Sequence, residues 1–206
     1  MLVFGNICSL ARNTLKANGM DLILASQSPR RRRLLSSLGV TFRCLSPDVE
    51  ELSDGLPPHE LVLENARRKW HWCCEREPEA LILTADTAVD LAGDILGKPR
   101  NRSEAEAMLR RESGCAQLVH TGYVLGSAKE LSDATVQGVE TSEVTFRELS
   151  EHDIQTYLDL VRPYDRAGAY DIDESGDMLV SACSGSRSNV IGLPLERMRE
   201  ILRCYI

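Results

Sequence analysis

Apolar positions along the chain alternate between short runs and amphipathic stretches, the pattern of strands and helices packed in layers. The first run, Leu22-Ile23-Leu24-Ala25, reads as a buried strand that breaks at Ser26-Gln27-Ser28-Pro29 into a helix. That helix carries Leu34, Leu35 and Leu38 on one face and is closed by Gly39. Ser28 suits its N-cap and Pro29 its first helical position. A second helix is expected over residues 60–74, with Leu61, Val62, Ala66 and Trp70 in phase. The strand Ala80-Leu81-Ile82-Leu83 follows and delivers Asp86 near its end. Residues 88–96 read as a hairpin turning at Ala92-Gly93-Asp94. Ser103 with Glu106 makes a capping box for a helix containing Ala105, Met108 and Leu109. Two strands are expected over 118–125 and 135–146, with Val136, Val139, Val144 and Phe146 buried in the second. A helix over 150–161 places Ile154, Tyr157, Leu158 and Val161 at i, i+3, i+4, i+7. A strand over 178–182 and a closing helix with Leu195, Met198 and Leu202 complete an α/β fold with a mixed sheet.

Composition narrows the class. The 206 residues, 43% hydrophobic and 27% charged, suit one globular domain without repeats or low-complexity tracts. With 24 Lys and Arg against 31 Asp and Glu, the net charge of −7 argues against nucleic acid or anionic lipid as a partner. Any anion site must therefore be local. No apolar run approaches a membrane span. Seven irregularly spaced cysteines, mostly in apolar segments, imply reduced thiols and a cytoplasmic setting. Residues 1–20 form an N-terminal extension ahead of a single domain over 21–206. The extension carries Arg12 and Lys16 with no acid before Asp21, as a leading helix or a targeting segment would, and is too polar for a secretory signal.

Candidate chemistry concentrates at three places. Arg30 to Arg33 crowd the start of a helix whose terminus is already electropositive, so an anion is expected to compensate them. A polyphosphate meeting Ser26, Ser28, Arg30 and Arg31 would do so, and a solvated basic face is the competing reading. Asp86, after a buried strand, either caps a turn or serves as a metal ligand or general base. Lys98, between Gly97 and Pro99, is placed to hold an ammonium against phosphate. Read alone, Lys69 and Glu50-Glu51 are surface residues. His71 with Cys73 and Cys74 lacks the second ligand pair of a zinc finger.

Taken together, these segments resemble the Maf family of nucleotide pyrophosphatases, also known as septum-formation inhibitor homologues. The resemblance runs from Leu22 to about Leu202, through Leu22-Ile-Leu-Ala-Ser-Gln-Ser-Pro-Arg-Arg31, Pro47-Asp-Val-Glu-Glu51, Glu64-Asn-Ala-Arg-Arg-Lys69, Ala85-Asp-Thr87, Gly97-Lys-Pro99, Asp165-Arg-Ala-Gly-Ala-Tyr170 and Asn189-Val-Ile-Gly-Leu-Pro194. It implies an elongated α/β fold with two lobes around a central cleft, and hydrolysis of a nucleoside triphosphate to the monophosphate and pyrophosphate with Mg²⁺ or another divalent ion such as Mn²⁺. It also allows a homodimer. By resemblance, Ser26, Arg30, Arg31, Lys69 and Lys98 contact phosphates. Glu50 and Asp86 form the acidic, metal-binding pair, with Asp86 the general base. A catalytically silent nucleotide-binding or division-regulating protein is the alternative of a different class.

The chain departs from the family pattern at Arg166, Gln117, Gly185-Ser186-Arg187 and Asp171-Ile172-Asp173. Base choice is implied at Arg30, Thr87 and Asp173. The first two match the branch acting on dTTP and UTP, whereas an acid at the third matches the branch acting on 7-methyl-GTP. A carboxylate suits the paired N–H donors of guanine, and a glutamine suits uracil or thymine. The expectation is dTTP or UTP, with 7-methyl-GTP the alternative.

Overall fold

All four residues of β1 (Leu22–Ala25) are buried, as befits a strand covered on both faces. In the computed structural model, which describes residues 21–128 and 135–203, β1 pairs in parallel with β2 (Arg43–Leu45) and with the start of β3 (Leu81–Leu91). The proposed extension at 1–20 lies outside the described residues. β3 runs antiparallel to β5 (Ala116–Gly126) from Ile82↔Gly126 to Asp90↔Leu118, and β5 to β6 (Val136–Phe146). β4 (Asp94–Leu96) folds back on β3, and β7 (Val180–Ser184) closes the far edge of the order β2-β1-β3-β5-β6-β7.

The pairing of β3 corrects one expectation. Asp86 stands in the middle of an eleven-residue strand, not near the end of a short one, because β5 pairs with it throughout. What ends at Thr84 is the parallel neighbour, whose last partner pair is Ala25↔Thr84. On that same edge β4 begins only at Val89↔Leu96. Residues 85–88 therefore border a notch between β1 and β4, and Asp86 and Thr87 sit in it.

Helices cover both faces. Ile23, Ala25, Ile82 and Val124 pack on α2 (Pro58–Cys74) through Ala66, Trp70, Cys73 and Cys74. Gly122 is required there, since a Cβ would lie 2.5 Å from the Val62 and Leu63 backbone. The opposite face carries two groups. Leu22, Leu24, Leu83 and Ala85 pack on α1 (Pro29–Ser36) and on α6 (Leu195–Leu202), which follows the short α5 (Arg187–Ile191). Val89, Val119, Val144 and Phe146 pack on α3 (Arg102–Glu112) and α4 (Glu151–Val161). By strand alternation Thr87 points between these groups, which is the physical origin of a cleft between two lobes.

Local signals placed most helix ends. Ser28 caps α1, and Ser150 with Asp153 forms a capping box on α4. Two boundaries differ from expectation. Asn101, not Ser103, caps α3, its side chain accepting from the Glu104 N–H at 3.0 Å. β7 starts at Val180 because Gly176–Met178 tightens into a 3₁₀ turn. Val144 and Phe146 are buried, whereas Val136 and Val139 are half-buried. The five described cysteines are free thiols. No described helix is long and apolar enough to cross a membrane.

Glu112, ending α3, is 1% exposed, and neither of its carboxyl oxygens has a hydrogen-bond partner among the described residues. Burial pushes its carboxyl well above the usual range, with Gln117 and Arg111 opposing. The native chain thus keeps a proton that the unfolded chain releases near pH ~4.3, so this group lowers stability as pH rises from there toward its folded value. Glu112→Leu is expected to stabilise the fold by about 1–3 kcal/mol at pH 8, with the gain shrinking toward pH 4. Thermal denaturation at both pH values checks this, and an equal gain at each would contradict the protonation argument.

Candidate active site

The cavity at the notch is lined by all the elements that meet there. Ser28, Arg30 and Arg31 come from the start of α1, Asp86 and Thr87 from β3, Lys69 from α2, Glu51 from the preceding loop, and Lys98 from the segment after β4. Asp165, Arg166 and Tyr170 form another wall. The four consecutive arginines diverge because a helix turns about 100° per residue. Arg30 donates to Asp165 at 3.1 Å. Arg31 donates to Gly192 O at 2.8 Å and to Thr87 Oγ1 at 2.9 Å. Arg32 is exposed, and Arg33 pairs with Asp173. The basic run is therefore divided: Arg30 and Arg31 line the cavity, whereas Arg32 and Arg33 lie on the exposed face. Burial lowers the Arg31 guanidinium, with Asp86 and Glu51 opposing.

At the floor, the Lys69 ammonium lies 2.7 Å from Asp86 Oδ1 and 2.6 Å from Glu51 Oε1. Its side chain is 7% exposed, and that of Asp86 12%. The other Asp86 oxygen accepts from Asn65 Nδ2 at 3.0 Å. Asn65 and Lys69 reach the same carboxylate because i and i+4 share a helix face. Lys98 is exposed and makes no ion pair among the described residues. The Gly168 N–H donates to Gly97 O at 3.1 Å, tying the Lys98 segment to the opposite wall. Gly168 adopts φ +69, and a Cβ there would stand 2.8 Å from Glu112 Oε1.

Of the residues expected from sequence, Arg30, Arg31, Lys69, Asp86, Thr87 and Lys98 converge on this cavity. Ser26 is buried and does not line the cavity, its Oγ accepting from the N–H of the lining residue Ser28 at 3.1 Å. Two residues stand elsewhere. Glu50 is exposed and does not line the cavity, whereas its neighbour Glu51 does. Asp173 lies outside the lining, its carboxylate held at 3.3 Å by both Arg33 and Arg187. Asn65 was missed as a site residue, although its four-residue offset from Lys69 was a usable signal.

No group of three or more His, Cys, Asp or Glu stands ready for a metal among the described residues. Two hard carboxylates, Asp86 and Glu51, do face one ammonium position. That set suits Mg²⁺, which takes one or two carboxylates and completes its shell with phosphate oxygens and water. Arranged this way, the cavity can bind a polyanion through Arg30, Arg31 and Lys98 and present a buried carboxylate to it.

A family model described as Maf-like protein matches residues 21–205. The dTTP/UTP pyrophosphatase of Akkermansia muciniphila is 42% identical over 184 residues, covering 89% of this chain and 94% of that protein. The dTTP/UTP pyrophosphatase of Myxococcus xanthus is 43% identical over 182 residues, covering 88% and 90%. That of Salinibacter ruber is 42% identical over 193 residues, covering 93% and 94%.

Proposed function

The chain belongs to the Maf-like protein family, and from that premise we propose that it hydrolyses dTTP and UTP to the monophosphate and pyrophosphate. One observation carries this reading. Three cations, Arg30, Arg31 and Lys98, share a single cavity with the buried Asp86–Lys69 pair and the Glu51 that meets Lys69 from the surface, in a chain similar over about nine-tenths of its length to dTTP/UTP pyrophosphatases.

Arg30 and Lys98 bind the triphosphate and stabilise the charge that develops on the departing pyrophosphate. Arg31, braced by Gly192 O and Thr87, adds a fixed guanidinium at the mouth of the notch. Asp86 takes the proton of the attacking water. Lys69 holds the Asp86 carboxylate in place by its ion pair at 2.7 Å, and Glu51 takes the acidic role expected of Glu50. Asp86 and Glu51 would hold Mg²⁺ or Mn²⁺, which when bound offsets phosphate charge. Base choice rests with Thr87 and the cavity wall. Asp173, the residue that favoured 7-methyl-GTP, is instead engaged by Arg33 and Arg187.

Pyrophosphate release measured over dTTP, UTP, 7-methyl-GTP and the purine triphosphates tests the reading. The two pyrimidine nucleotides are expected to give the highest kcat/KM. Preference for 7-methyl-GTP would overturn the base assignment, and nucleotide-dependent thermal stabilisation without turnover would indicate a binding protein. The same assay separates the arginines. Arg30→Ala and Lys98→Ala should each lower kcat/KM by about 10- to 100-fold, as expected for lost charge-assisted bonds to phosphate. Arg32→Ala should change it less than about twofold, since exposed substitutions away from the site are nearly neutral. Equal losses for all three would mean that the basic run acts as a diffuse patch.

A further inference from the structure

Residues 46–57 contain no helix or strand, yet they carry Glu51 into the cavity. A loop without regular structure needs anchors to hold a side chain at a fixed point. Asn65, 1% exposed on α2, supplies two of them. Its Oδ1 accepts from the Leu52 N–H at 2.7 Å, and its Nδ2 donates to Leu52 O at 3.0 Å. The second Nδ2 hydrogen goes to Asp86 Oδ2 at 3.0 Å. This pattern fixes the orientation of the amide, because only its oxygen can accept from Leu52 and only its nitrogen can donate to a carboxylate.

We propose that Asn65 is a positioning residue that joins the two acidic groups of the site, clamping the loop so that Glu51 stays across Lys69 from Asp86 while orienting the Asp86 carboxylate. The inference rests on the reading of Asp86 and Glu51 given above. Lys69 alone would hold the carboxylates by charge, which sets distance but little direction. The amide adds direction to Asp86, and it ties that direction to the register of the loop one residue beyond Glu51.

Two substitutions divide the roles. Asn65→Asp keeps an acceptor for the Leu52 N–H but has no N–H for Leu52 O or for Asp86, beside which it sets a second carboxylate. Asn65→Leu keeps neither. For dTTP hydrolysis by the full chain with Mg²⁺, Asn65→Asp is expected to lower kcat about 10- to 100-fold, the loss typical of a hydrogen bond to a charged group, with KM changed less than about threefold. Hydrogen exchange supplies the readout independent of activity. The wild-type Leu52 amide should exchange far more slowly than those of its exposed neighbours Glu51 and Ser53. That protection should persist in Asn65→Asp and fall at least about tenfold in Asn65→Leu.

An unprotected wild-type Leu52 amide overturns the clamp whatever the variants do. A wild-type kcat in Asn65→Asp, or a loss confined to KM, overturns the positioning of Asp86. Asp86→Asn separates the two possible failures. Turnover by that variant would remove Asp86 from the chemistry and this role with it, whereas an inactive Asp86→Asn beside a fully active Asn65→Asp would overturn the positioning role alone.

Discussion

Asp86→Asn is expected to lower kcat for dTTP by at least about 100-fold while leaving the fold intact, because loss of a general base typically costs 10²–10⁴-fold. The amide is nearly isosteric with the carboxylate. It can still accept at one atom from Lys69 or Asn65, the two groups that contact Asp86 at 2.7 and 3.0 Å. It cannot take a proton from water and is a poor ligand for a hard cation. Steady-state pyrophosphate release, with circular dichroism to verify folding, measures the effect. A folded variant retaining more than about a tenth of the wild-type rate would remove Asp86 from the role of base.

Lys69→Met should affect both activity and stability. Its ammonium is the cation between Asp86 and Glu51, at 2.7 and 2.6 Å, and both Lys69 and Asp86 are buried. Methionine fills much of the same volume but leaves a buried carboxylate without its counter-charge. Breaking a buried pair in this way costs about 3–5 kcal/mol, far more than removal of a surface pair. Turnover should fall by at least about 100-fold, since Asp86 loses the contact at 2.7 Å that positions it and the site loses a cation. Chemical denaturation and the pyrophosphate assay check the two effects. A variant within about 1 kcal/mol of wild-type stability would mean that Lys69 is not the counter-charge that keeps Asp86 buried.

The helices and most strands were legible because their signals are local. Period 3.6 identified the buried faces of α2 and α4, apolar runs marked most strands, and Ser28-Pro29 marked the start of α1. The same local chemistry singled out Arg30, Arg31, Asp86 and Lys98, beside a helix start, in a strand or after a hairpin, and the fold gathers them at one cavity.

What only the tertiary structure decided depends on partners distant in sequence. The length of β3 was set by β5, whose pairing carries the strand through Asp86, and the notch exists because β1 stops opposite Thr84 while β4 pairs with β3 only from Val89. In the loop before α2 no period tells which of two adjacent glutamates faces inward. Glu51 faces Lys69 because Asn65 fixes the backbone at Leu52. Asp173 is likewise outside the cavity because Arg33 and Arg187, 140 residues and 14 residues away in sequence, take its carboxylate. Sequence periodicity orients side chains on regular elements, whereas in irregular segments orientation follows from hydrogen bonds and charges that only the folded chain brings together.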